Sequence, residues 1–157
     1  MVNQNPQPEI WNTRHEFAGD AASTTQGTTV QQVIYTNQAH NEECRIYAIQ
    51  VQPMIYDATW QGGGSAAGSY VGNEYEIFEN YDVSIQVGSN SIPNQSFSIS
   101  EICRREDKTM YFSSPILVLH RQPLQVSVSY QGDLVLPTNT DTVVTVNLIG
   151  ETYIAQA

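Results

Sequence analysis

The sequence predicts one antiparallel all-β domain, and three observations carry that prediction. Apolar and polar residues alternate with a period of two along Tyr81–Val87, Leu124–Tyr130 and Val144–Leu148, the pattern of strands with one face buried. Turn-forming clusters of Gly, Pro, Asn, Asp and Ser separate the apolar stretches. No window of useful length has the 3.6-residue period of an amphipathic helix. A chain of 157 residues with 40% hydrophobic content suits one domain with one core.

Along the chain, residues 1–13 are read as an extended N-terminal arm and 14–157 as the sandwich domain. Pro6 and Pro8 deny the arm a helix or an internal strand ladder. Ile10, Trp11 and Phe17 give it apolar surface to bury, on its own domain or on a neighbouring subunit. Thr29–Thr36 is rich in β-branched residues and forms the first clear strand. Glu43–Val51 is apolar on both faces, as a central strand requires, and Pro53 is read as its end. Residues 57–72 form a long loop around Gly62-Gly63-Gly64-Ser65, longer than ordinary connections and so read as functional or mobile.

Tyr81–Val87 is a half-buried strand, and 88–95 is a turn region, after which Phe97 and Ile99 resume the alternation. The mixed charges of 100–108 are read as a solvated turn or short helix with local ion pairs. Thr109–Phe112, the apolar run Ile116–Leu119, Leu124–Tyr130 and Val144–Leu148 follow, and Gly150 is read as a bend before Thr152-Tyr153-Ile154. Seven or eight strands between turns indicate a sandwich or barrel.

Composition narrows the function. Only 14% of residues are charged, and the net charge is −10. Asn, Gln, Ser and Thr number 52 of the 157. Amide and hydroxyl surface suits contact with protein or carbohydrate, because it is desolvated more cheaply than full charges. Six basic residues without a stripe argue against nucleic acid, and the negative charge against anionic membranes. Met1-Val2-Asn3-Gln4-Asn5-Pro6 has neither the basic nor the apolar region of a signal peptide, so none is expected. Cys44 and Cys103 lack metal-binding spacing and are read as buried thiols in preference to a disulfide.

Catalytic constellations are weak. Glu74 and Glu76 share a strand face and are the only candidates for a calcium site or an acid/base pair, and a solvent-facing polar edge is the stronger reading. His15, His40 and His120 lack ligand spacing. Gly64-Ser65-Ala66 lacks the strand–turn–helix setting of a nucleophile, and the glycine run has no phosphate-loop lysine. No cofactor and no enzymatic activity are expected. The candidate contact residues are aromatic: Trp11 and Phe17 near the arm, and Tyr56, Trp60 and Tyr70 around the glycine loop. Trp60 with its neighbouring tyrosines is read as an interface anchor, as a sugar-stacking platform or as a Trp that caps the core, and the second of these keeps a carbohydrate-binding module as the alternative.

The last third carries a resemblance. Met110-Tyr111-Phe112, Ser114-Pro115-Ile116-Leu117-Val118-Leu119, Arg121–Val128 and Thr142–Glu151 in this order resemble the final strands of small jelly-roll virion proteins of bacteriophages, the single jelly-roll capsid and the decoration or cement proteins. Asn12-Thr13-Arg14-His15-Glu16-Phe17 is similar in style to their first strand. The resemblance covers about a third of the chain and consists of strand texture. It implies an antiparallel jelly-roll sandwich, a virion location, self-association with trimers favoured, and other capsid subunits as partners.

Overall fold

The structure is a computed structural model that describes residues 6–17, 28–36, 42–57, 78–88, 90–119, 122–131 and 140–154. Among the described residues eight strands appear in chain order: β1 (Gln7–Phe17), β2 (Thr29–Thr36), β3 (Glu42–Asp57), β4 (Tyr81–Val87), β5 (Asn90–Ser98), β6 (Thr109–Val118), β7 (Pro123–Tyr130) and β8 (Thr140–Ile154). A short helix α1 (Ile99–Cys103) and a 3-10 turn (Glu106–Lys108) lie between β5 and β6.

The strands form two four-stranded antiparallel sheets, sheet I in the order β1-β8-β3-β6 and sheet II in the order β2-β7-β4-β5. β1 pairs with β8, β2 with β7, β3 with β6 and β4 with β5. A long double-stranded ribbon wrapped into a sandwich produces this nested pairing, so the fold is a jelly roll. The core fills from alternate positions of both sheets. Ile46, Ile49, Val51, Val144, Val146 and Leu148 from sheet I meet Val83, Ile85, Leu124, Val126 and Val128 from sheet II.

Several local readings change. Residues 7–13 are the first part of β1, paired with β8 from Gln7↔Thr152 onward, so the boundary expected at 13/14 falls inside a continuous strand. β1 lies at the rim of sheet I, where Pro8 is tolerated because one flank needs no ladder. Pro53 does not end β3, which runs on to Asp57 against β8. Pairing with β6 stops at Gln50, so this part of β3 has a strand on one side only among the described residues.

The turn expected over 88–95 is tight. Val87 pairs with Asn90, Gly88 takes φ +61°, and the rest of the segment is β5. Ile99 starts α1 instead of continuing the strand alternation. In the charged segment, Arg104 bonds the distant Glu79 and not a neighbour in sequence. Gly150 makes no bend. It sits inside β8 opposite Ile46, where a Cβ would lie 2.0 Å from the Arg45 carbonyl oxygen. The missing side chain lets β3 approach there, at a bulge: Ile46 pairs with Gly150 and Ala48 with Ile149, leaving Tyr47 as the extra residue.

Candidate functional site

The outer face of sheet I is where sequence and register concentrate unusual side chains. Residues with odd numbers on β8 and even numbers on β1 point outward, as their alternating burial shows. Across the sheet, Tyr111 of β6 pairs with Ala48 of β3, Ala48 with Ile149 of β8, and Ile149 with Ile10 of β1. This apolar row crosses all four strands. Its two ends are the most exposed large hydrophobics, Tyr111 at 76% and Ile10 at 67%. Ala48, in the middle of the row, is fully buried although it is not part of the core cluster.

One flank of the row is an aromatic and charged cluster. The bulge carries Tyr47 next to Tyr153 and Glu151 of β8. Both phenols donate to Oε2 of Glu151, Tyr47 at 3.0 Å and Tyr153 at 2.5 Å, with the two hydroxyls 3.1 Å apart. The Glu151 hydrogen bond, seconded by Tyr47, pushes the Tyr153 phenol above its ordinary pKa. The Arg45 guanidinium stacks 4.2 Å from the centre of the Tyr153 ring, and its Nε donates to Glu43 at 3.1 Å. Leu117, 45% exposed, pairs with Arg45 and extends the cluster to the β6 rim. Aromatics and arginine locked on central strands have the composition of an interface anchor, since they lose little entropy when covered.

The other flank is a ladder of amides. Asn12 donates to Asn147 at 2.6 Å, Asn147 to Gln50 at 3.2 Å, and Gln50 to the Asp107 carbonyl at 3.1 Å. The ladder crosses β1, β8 and β3 and holds the 3-10 turn.

Other candidates fall elsewhere. Trp11 and Phe17 are 7% and 2% exposed, within the molecule's own core. Phe17 packs edge-on against Tyr81 at 5.0 Å, and Tyr81 also meets Phe78 and Tyr130. Tyr56 is on β3 opposite Asp141, and its side chain is outside the described set. Trp60, Tyr70, the glycine loop, Glu74, Glu76, His40 and His120 lie outside the described residues. His15 is buried, with Nδ1–H donating to the Val30 carbonyl of β2 at 2.9 Å and Nε2 2.9 Å from the Thr13 hydroxyl. It is a clasp between the two sheets. Cys44 and Cys103 are separate buried thiols. Among the described residues no three His, Cys, Asp or Glu side chains gather as a metal site, and no helix is long and apolar enough to cross a membrane.

Tyr47, Tyr111, Ile149 and Tyr153 are not among the contact residues that the sequence singles out. The available signal was an outward-facing aromatic or isoleucine in a strand whose other outward residues are polar.

No protein-family model matches the chain, and no curated protein matches it in sequence. Among solved structures, the chain is similar to the decameric BFDV capsid protein, with 10% identity and a TM-score of 0.39, over 96% of this chain and 99% of that one. It is also similar to dimeric latent PorU from Porphyromonas gingivalis, with 14% identity and a TM-score of 0.28, over 90% of this chain and 13% of that one. Neither likeness is strong enough to carry an argument about this chain.

Proposed function

We propose that this protein is a structural subunit that works by protein–protein contact and not by catalysis. At a finer level we propose a virion protein of a bacteriophage, a capsid shell subunit or a decoration protein, that associates with its own copies, trimers favoured, and with other capsid subunits. The observation that carries the reading is the apolar row Tyr111–Ala48–Ile149–Ile10, flanked by the Tyr47–Glu151–Tyr153–Arg45 cluster. A monomeric surface gains nothing from a row of this kind across a whole sheet, whereas an interface core needs it. The jelly-roll strand order and the amide-rich, weakly charged surface support the same reading.

The test is sedimentation equilibrium on the wild type and on the double variant Ile10→Glu/Tyr111→Glu, whose exposed sites tolerate the change without unfolding. The wild type is expected to form oligomers at micromolar concentration and the variant to sediment as a 17.5 kDa monomer. A wild type that is monomeric at every concentration, and absent from purified particles, would overturn the proposal.

A further inference from the structure

A second surface lies at the opposite rim from β1, where β6 and β5 end their sheets. Between Ile46 and Ala48, β3 advances two residues while its partner β6 advances five, from Ile116 back to Tyr111. β5 makes the same excursion against β4: Ile85 pairs with Ile92, but Val83 pairs with Phe97. Two rim strands therefore bulge side by side, and a groove of about 400 Å³ opens along β6 beside Phe97. Phe97, Met110, Tyr111, Phe112 and Ile116 line it, with the Phe97 and Phe112 rings 6.3 Å apart. Ser113 and Ser114 stand exposed at its mouth.

Arg105 is the one charged side chain in that lining. It makes no ion pair with any described residue, in a chain of net charge −10, whereas Arg104 beside it is bonded to Glu79. Its backbone is held on both sides: Arg105 N–H donates to the Ile102 carbonyl at 3.1 Å, and its carbonyl accepts from Lys108 N–H at 3.0 Å. The next residues are under strain, with Asp107 at φ 55° and Lys108 at φ 52°. Two donors pin the Asp107 carbonyl in that conformation, Gln50 at 3.1 Å and the Thr109 hydroxyl at 2.9 Å. The turn is over-determined, and it presents a guanidinium at the end of an apolar trough.

We propose that this groove receives an extended segment of another polypeptide, with a bulky apolar side chain in the trough and a nearby carboxylate on Arg105. Among the described residues no strand follows β6 in its sheet, so its outer edge carries the backbone groups for strand addition, the trough reads the side chain, and the guanidinium sets polarity. A carboxylate is the complementary charge, and an extended backbone is the shape that fits an open rim. The groove adjoins the outer face of sheet I at Tyr111, which lines the one and ends the apolar row of the other, and the inference stands without the virion reading.

The experiment uses fluorescence anisotropy with a panel of labelled, blocked heptapeptides. Each has a central phenylalanine among valines and threonines and one glutamate one, two or three residues away, and each is matched by its lysine counterpart. At least one glutamate peptide is expected to bind more tightly than its lysine counterpart, with a Kd below about 1 mM. Arg105→Gln should weaken that binding about tenfold and erase the preference. Ser114→Trp, at an exposed position that leaves the fold intact, should fill the mouth and abolish binding. Equal affinity for glutamate and lysine peptides, unchanged binding in Arg105→Gln, or no binding across the whole panel would overturn the proposal.

Discussion

Replacing Gly150 by alanine places a methyl group 2.0 Å from the Arg45 carbonyl oxygen and 3.0 Å from both the Arg45 carbonyl carbon and the Ile46 Cα. All three are backbone atoms on the bulged strand. An ordinary carbon–oxygen approach is about 3.3 Å, so β3 must retreat by roughly 1.3 Å. It cannot do so locally, because Ile46 is paired with Gly150 on one side and with Ile116 on the other. Losing two ladder bonds costs about 2 kcal/mol, and forced overpacking adds about 1–3 kcal/mol. The expected loss is therefore about 3–5 kcal/mol, which lowers Tm by about 6–20 °C for a domain of this size.

Gly88→Ala is the matched control. Its Cβ would meet nothing nearer than the Gln122 side chain at 3.9 Å, so only the left-handed φ of +61° is penalised, at about 1–2 kcal/mol. Urea unfolding followed by tryptophan fluorescence measures both, with the buried Trp11 as a reporter. If Gly150→Ala proves no more costly than Gly88→Ala, the close approach of β3 and β8 is not what holds the bulge.

Three further outcomes are expected. Burial depresses the His15 pKa below 6.5, the Val30 hydrogen bond opposing it only in part. The unfolded chain therefore takes up a proton first. Stability should be level above pH 6.5 and fall as pH drops through 6.5 toward the lower folded pKa, and His15→Gln should flatten this slope in pH-dependent urea titrations. At Lys108, held at φ 52°, glycine should raise stability by about 0.5 kcal/mol and valine lower it by about 1 kcal/mol or more, an order that thermal melts can check. Burial pushes the Cys103 thiol up to about 11, against a lowering by Lys108, so iodoacetamide at pH 8 should leave it unlabelled in the native protein and label it in urea.

Much of the fold was legible in the sequence. Thr29–Thr36 and Tyr81–Val87 have the bounds their residues imply, because β-branched content and a period of two report directly on a backbone with one buried face. The errors cluster at prolines and glycines. Pro8, Pro53 and Pro93 all lie inside strands, and Gly150 continues one. A proline excludes a strand only when both flanks are hydrogen-bonded, and whether a flank is bonded depends on strand order. Trp11 and Phe17 are contact candidates in the sequence because bulky aromatics near the arm suit a neighbour's surface as well as the chain's own core. β1's place over the core resolves them as interior.

An all-β sandwich with a weakly charged, amide-rich surface follows from the amino-acid order alone. Local alternation and composition are properties of a chain read a few residues at a time. Where the exposed apolar residues gather depends on how the strands pack. Tyr111, Ala48, Ile149 and Ile10 are scattered over the sequence and meet in one row because β6, β3, β8 and β1 lie side by side in a defined register. A one-residue slip in any of those pairings would turn a member of the row to the opposite face. Arg105 likewise becomes the charge at the end of an apolar groove only where two rim strands bulge together. Register and strand order are collective properties of the packed sheets, and no window of sequence contains them.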